Sequence, residues 1–398
     1  MLCKCAICQC IETKEILKLK KSPTHPFCPA QNMFFPKGFG NLKIVECSNC
    51  SHVYNSSFEI NKVNDLYEYS IITNVSVSKS MEDDLKNLSN YILKSSSDNP
   101  VIADIGGGIG TLSRYLARGA KEVHLFEPCK AIKQSDFKGE KIILHQDMFP
   151  VKDVEIKFDV IIVKQVLEHV PNLQNFLFQL QRRLKDKGIC YIEIPSFEYI
   201  EKNESIVDIY YPHIHYFRKN VILNFLESFG FKLLDFKLVK NGHDYGMLLS
   251  KCNPISFITP KSSKQRSNIS EKLKIRIQNG LRTIYTFNKK KIALYGATAG
   301  GQILITLYPS LVKNIRYVFD DTPYKNKNYV YSSQKDIEII RPSEELINQI
   351  NIIIITAFLH DDLIAMRLKS LNFSGTIYTL KSPILKSNNT YNLNYLFE

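Results

Sequence analysis

Three groups of residues in this 398-residue chain have the types and spacing to do chemistry. The first begins as the apolar run Val101 to Ile105, which carries Asp104 and leads into Gly106, Gly107, Gly108 and Gly110. An apolar strand feeding a glycine turn, with a helix opening at Thr111, brings backbone N–H groups close to a nucleotide-like ligand. Glu127 follows about 20 residues later at the end of the next strand, where an acid can accept both hydroxyls of a ribose. The second group is Cys5-x-x-Cys8 with Cys47-x-x-Cys50, four thiolates able to hold one tetrahedral zinc ion. An all-cysteine set argues for a structural ion, because a catalytic zinc keeps an open position and usually recruits histidine. Cys3, Cys10 and Cys28 are left over, and Cys3 or Cys10 could be exchanged with a neighbour as ligand. The third group is Tyr210, His213, His215 and Tyr216, in a segment without hydrophobic period, together with His169. Histidine accepts protons near neutral pH, and a tyrosine hydroxyl can bind a developing oxyanion.

These residues need a scaffold, and the hydrophobic pattern supplies an α/β one. Strands are expected at Glu122–Phe126, Lys141–His145, Phe158–Val163 and Ile189–Ile194, with helices at Met81–Leu93 and Leu173–Leu184. A turn is expected at Lys185–Gly188, then a helix at Val221–Phe229 and strands at Phe231–Val239 and Tyr245–Leu249. A basic helix from about Ser270 to Phe287 precedes a second strand–small-residue turn–helix unit opening at Lys291. That unit continues with strands Ile315–Phe319, Asn351–Ile355 and Gly375–Leu380. The expected division is 1–66, 67–253, 254–288 and 289–398.

The bulk numbers agree with several globular parts. Apolar residues make up 44% of the chain, and no run approaches the ~18 apolar residues of a membrane span. No signal-peptide apolar region follows Met1, so a cytoplasmic location is expected. Seven of the ten cysteines lie in the first 50 residues, which in that compartment points to metal rather than disulfides. The net charge of +13 fits either a polyanionic partner or a lysine-rich composition.

The spacing D-x-G-x-G-x-G over Asp104, Gly106, Gly108 and Gly110 resembles motif I of class I S-adenosylmethionine (SAM) methyltransferases. That resemblance implies a Rossmann-like core in which these residues, Glu127, Asp147 and Gln165 surround SAM. The segment Leu167-Glu168-His169-Val170-Pro171 after the fourth strand is familiar from small-molecule members. The order of cysteine lobe, SAM domain, basic helix and second Rossmann-like domain resembles, over essentially the whole chain, the sugar C-methyltransferases of deoxysugar biosynthesis. The resemblance implies structural zinc on Cys5, Cys8, Cys47 and Cys50, and a nucleotide-linked 4-keto sugar as acceptor. It carries over Tyr67 and Tyr69, with Ser70, as pocket residues and His169, Tyr210 and His213 as catalytic candidates, with His215 beside them. It also places Tyr216, Gly296 and the Asp320 region on the substrate side, the last two gripping its nucleotide.

One element departs from that family. Its I-Y-H-E-H-x-x-Y-F stretch reads here Ile209-Tyr210-Tyr211-Pro212-His213-Ile214-His215-Tyr216-Phe217, so Pro212 stands at the glutamate position. Carbon methylation needs a proton removed next to a carbonyl, whereas hydroxyl methylation needs only one base. The sequence therefore leaves carbon and oxygen acceptors open. Two other readings stand beside it: a methyltransferase of another small molecule or of RNA, and a non-catalytic scaffold that keeps the fold. Asp321-Thr322-Pro323-Tyr324 resembles the D-P-P-Y element of nucleic-acid base methyltransferases, but it follows the wrong strand. A nucleic-acid partner is accordingly disfavoured.

Overall fold

The computed structural model describes residues 4–24, 38–63, 67–68, 79–151, 155–257, 268–381 and 393–398. Three sheets organise them. In the N-terminal sheet, strands β1 (Thr13–Pro23) and β2 (Phe39–Cys47) form an antiparallel hairpin, and β3 (Val53–Asn55) pairs with β2. The fourth strand comes from far along the chain: His215–Tyr216 (β9) pairs antiparallel with Val53 and Tyr54. The described residues of the lobe share their core with the rest of the protein. Leu42, Ile44 and Val53 join one apolar cluster with Phe197 and Ile200 of the middle region and Leu273 and Leu304 of the C-terminal region.

The middle sheet follows α1 (Lys79–Ser95) and contains β4 (Val101–Ile105), β5 (Glu122–Phe126), β6 (Ile142–His145), β7 (Phe158–Lys164) and β8 (Leu184–Pro195). Strands β10 (Phe231–Val239) and β11 (Asp244–Lys251) complete it in the order β10-β11-β8-β7-β4-β5-β6, with β11 antiparallel to both neighbours. Val160 to Val163 of β7 are fully buried, as a central parallel strand covered on both faces requires. One face packs α1 and α2 (Thr111–Leu116) through Ile92, Leu112 and Leu116. The other packs α3 (Leu173–Arg183), which buries Leu173, Phe176, Leu177 and Leu180 at helical spacing and is capped by the Asn172 side chain.

The expected turn at Lys185–Gly188 is instead the start of β8. Leaving α3, the chain turns extended at Leu184, which pairs with Phe158 and fills the core beneath it. The middle region also has α4 (Phe197–Asn203) and α5 (Lys219–Ser228), which bracket the segment 209–217.

Helix α6 (Ile269–Tyr285) and α7 (Ala299–Leu307) pack on β1, and the third sheet begins with β12 (Ile292–Tyr295) and β13 (Ile315–Phe319). It adds β14 (Tyr329–Val330), β15 (Ile337–Ile340), β16 (Ile352–Ile355), β17 (Thr376–Thr379) and β18 (Asn394–Tyr395), in the order β14-β15-β13-β12-β16-β17-β18. All pairs are parallel except β14 with β15. Both open sheets reverse their winding beside the first strand, β4 or β12, which opens a ligand crevice at the carboxyl ends.

Segment 209–217 is clamped from both sides. Tyr211 is fully buried against Phe58, takes a hydrogen bond from the Glu59 N–H, and lies so close to Gly40 that a Cβ there would meet its ring at 2.1 Å. Arg218 then ties the lobe to the middle region: it pairs with Glu201, lies 3.3 Å from Glu46 and donates to the Ser51 carbonyl. Removing one partner of such a mostly buried network leaves carboxylates uncompensated. Arg218→Ala is therefore expected to destabilise the protein by about 3–5 kcal/mol, read as a shifted denaturation midpoint.

Candidate active site

A cavity of about 820 Å³ opens at the carboxyl edge of the middle sheet. One end is the glycine turn. Gly106, Gly108 and Gly110 all take left-handed backbone angles (φ 67, 59 and 75), which a side chain would strain. The Glu127 carboxylate accepts the Gly108 N–H at 2.9 Å and the Cys129 N–H at 3.0 Å, and faces the cavity. Its burial outweighs those donors and pushes the carboxyl up to about 7. Asp104 does not line the cavity. It is buried under the turn and accepts the Ser113 hydroxyl at 2.6 Å, with burial pushing it up to about 6. Asp147 is exposed and folds back onto the Met148 N–H, so the wall at that edge is Met148 and Phe149. Gln165 lines the cavity, held by a 2.9 Å bond to Asp244.

The other end gathers Tyr67, Glu168, His169, Tyr210 and His213. The His213 ring lies 4.1 Å from that of Tyr210 and 4.8 Å from that of His169. Tyr67 stands edge-on to His169, its buried hydroxyl without a partner. Burial holds His169 down at about 4 and His213 well below the ordinary histidine range, so both rings are neutral near pH 7. Pro212, at the expected glutamate position, offers its carbonyl to His169 Nδ1 at 3.0 Å.

The sequence singled out no role for Glu168, yet it reaches the centre of this cluster. Its side chain is fully buried, both oxygens lack a hydrogen-bond partner, and burial pushes it up to about 8. Its signal was the position after β7, where the short turn Leu167–His169 aims residues over the sheet edge.

Several expected residues lie elsewhere. His215 does not reach the cavity: Nδ1 meets His52 Nε2 at 3.0 Å and Nε2 meets the Val170 carbonyl at 3.1 Å. Tyr216 is buried behind the cluster and donates to the Tyr210 carbonyl. Tyr69 and Ser70, like Cys3 and Cys28, fall outside the described residues.

Gly296 and Asp320 sit at the crevice of the third sheet and do not line the cavity; Asp320 braces the turn by accepting the Ala297 N–H and pairing with Lys325. The C-terminal region meets the cavity instead through Leu359 and His360, after β16. Between the two ends runs a charged floor, buried at Glu193 and Asp244 and exposed at Lys240. Lys164 and Lys240 each lie 3.2 Å from Glu193, and Lys240 also pairs with Asp244 at 2.6 Å. Asp208 and Asp244 hold His243 up at about 10 despite burial that opposes its charge.

Away from the cavity, the Sγ atoms of Cys5, Cys8, Cys47 and Cys50 lie within 4.8 Å of one another, an arrangement that could hold one metal ion. Cys10 instead points its thiol to the Glu12 carbonyl.

Residues 77–235 match the family described as "Methyltransferase domain", and residues 268–383 match "C-methyltransferase C-terminal domain". A curated relative, the ubiquinone biosynthesis O-methyltransferase of Pelagibacter ubique, is 35% identical over 107 residues, which is 24% of this chain and 44% of that protein. Among solved structures, the 1,6-didemethyltoxoflavin-N1-methyltransferase of Burkholderia thailandensis is 16% identical (TM-score 0.35), covering 43% of this chain and 80% of that one. The N-methyltransferase NodS of Bradyrhizobium japonicum is 13% identical (TM-score 0.36), covering 45% and 100%. No helix among the described residues is long and apolar enough to cross a membrane. The chain thus carries the domains of a SAM-dependent methyltransferase: a class I, Rossmann-like core followed by a C-methyltransferase C-terminal domain.

Proposed function

We propose that this chain methylates a carbon or oxygen of a nucleotide-linked or glycan-destined sugar, in the cytoplasm, using SAM as donor. The observation that carries this reading is the continuity of one cavity, from Glu127 at the glycine turn to His213 among the tyrosines. The turn fits the cofactor. Left-handed Gly106, Gly108 and Gly110 let backbone approach it, and Glu127 offers its carboxylate to the ribose hydroxyls. Asp104 holds the turn in shape, while Gln165, Met148 and Phe149 border the cofactor. Bound there, SAM supplies an electrophilic methyl group.

The remaining chemistry belongs to the protein. Neutral His213 has the free lone pair to accept the proton from the acceptor carbon or hydroxyl. The Tyr210 hydroxyl holds the acceptor oxygen as charge develops on it. His169 and Tyr67 line the same end, and His215 and Tyr216 act behind it by fixing segment 209–217. Gly296 and Asp320 shape the second turn, while Leu359 and His360 close the cavity. The four knuckle cysteines hold structural zinc that fastens the N-terminal lobe, which occupies 1–66 in a division continuing at 67–253, 254–288 and 289–398.

The acceptor assignment is checked by mass spectrometry of SAM with a panel of nucleotide-sugars. His213→Ala is expected to lose ~10²–10⁴-fold in turnover with SAM affinity near wild type. Unaltered turnover would make His213 structural.

Glu127 yields a pH dependence with a definite sign. Because burial raises its carboxyl to about 7, the ionised acceptor form is lost as pH falls through that value. SAM affinity measured by calorimetry is therefore expected to weaken below pH ~7 in wild type, and Glu127→Ala to cost about 1–3 kcal/mol and flatten the profile.

Elemental analysis tests the zinc. One ion on the knuckle cysteines is expected, and Cys47→Ser should lose it and unfold the lobe more easily, since structural metal binding is folding free energy.

A further inference from the structure

Beyond the cofactor and the acceptor, we propose that Glu168, His169 and His213 form a second metal site, for a first-row divalent cation, at the acceptor end of the cavity. The proposal concerns the cavity assigned above to methyl transfer, but the site is argued from its own geometry.

Glu168 Oε1 lies 3.9 Å from His169 Nε2 and 4.0 Å from His213 Nε2. One ligand atom from each residue can be chosen so that all three lie within 4.8 Å of one another. These gaps are too wide for hydrogen bonds. His169 donates its Nδ1 proton to the Pro212 carbonyl, which can only accept. In a neutral ring Nε2 then carries a lone pair, and that lone pair faces a carboxylate oxygen. An ionised Glu168 and the His169 lone pair would meet in a buried place as two acceptors with no donor between them, and both Glu168 oxygens are unpartnered. Such an arrangement calls for a positive charge in the gap. A shared proton would draw the heavy atoms to about 2.7 Å, whereas an ion bound at about 2.1 Å to each ligand separates them by ~3–3.5 Å, a closure of at most ~1 Å at the two glutamate–histidine gaps.

The surroundings match a metal centre as well. A histidine ligand usually donates its other ring N–H to a carbonyl or carboxylate, as His169 does to Pro212. Two imidazoles with one carboxylate suit zinc, iron, cobalt or manganese better than magnesium or calcium. All three residues line the cavity, so an ion here keeps open positions toward an acceptor oxygen. It would polarise that oxygen and stabilise its anion, and His213, with Nε2 as a ligand, would act as the base only while the ion is absent.

The test uses the full chain with its cysteine metal retained. Equilibrium dialysis against Co2+ and against Mn2+, with elemental analysis and electron paramagnetic resonance, should find one further ion per wild-type chain. Glu168→Gln and His169→Gln should each weaken that binding at least ten-fold while leaving knuckle metal content and SAM affinity unchanged. Glu168→Gln keeps the side-chain shape and leaves a neutral group in the buried place, so its fold is expected to survive. A wild-type chain that takes up no ion beyond the knuckle metal overturns the site, as does undiminished binding in Glu168→Gln. The two readings fail separately. Metal uptake without methylation of any nucleotide-sugar would leave this site standing, and metal-free methylation would remove it alone.

Discussion

The pairing of His215–Tyr216 with Val53–Tyr54 is the constraint on which the arrangement of the cavity depends. Only two residues long, it draws segment 209–217 out of the middle region and makes it the last strand of the N-terminal sheet. Backbone bonds extend the stitch: Ile214 donates to the Glu168 carbonyl, and Asn55 donates to the Ile214 carbonyl, both at 2.8 Å. Three segments distant in sequence are thereby locked at one point, with His213 next to it. The His52–His215 contact lies in the same seam, two residues beyond Cys50. The cysteine lobe is thus a structural partner of the cavity rather than an appendage.

The same region separates charges by whether they are matched. Lys164, Glu193, Lys240, Asp244 and His243 lie together with opposite signs in contact, so their desolvation is offset by mutual attraction. Glu168 is fully buried only a short way along the cavity and has no such match. Ionising an unmatched buried carboxyl is costly, which keeps its proton on near pH 7, and sites of that kind concentrate where function demands them. The tyrosines and histidines packed around it are neutral at physiological pH, so they do not relieve it.

The C-terminal region contributes differently from its sequence pattern. Its glycine-type turn is braced internally by Asp320, and the part that reaches the cavity is the loop after β16. The apolar cluster that runs from β1 through α4 to α7 makes this possible. It holds the third sheet against the other two, so Leu359 and His360 close a space whose other walls come from the middle region and, at Ile60, from the N-terminal lobe.

Much of the architecture was legible in the sequence, because local chemistry writes it there. The strand–glycine–helix turn at 101–116 and the acid at Glu127 are short-range features, and strands such as Glu122–Phe126 and Ile315–Phe319 fall where the apolar runs place them. The C-x-x-C knuckles announce themselves by spacing alone, and the structure brings their four sulfurs together. What sequence could not decide was which polar residues face one another. Glu168 and His213 are 45 positions apart in register with nothing periodic between them, and His215 looks as available as His213 until β9 turns it toward His52. Lys185 to Gly188 has turn chemistry, yet burial of Leu184 beneath Phe158 pulls it into β8. Local propensity is set by neighbours along the chain and can be read from it. The meeting of side chains is set by sheet order and by which strand takes the last place in a lobe, and those exist only once the chain has folded.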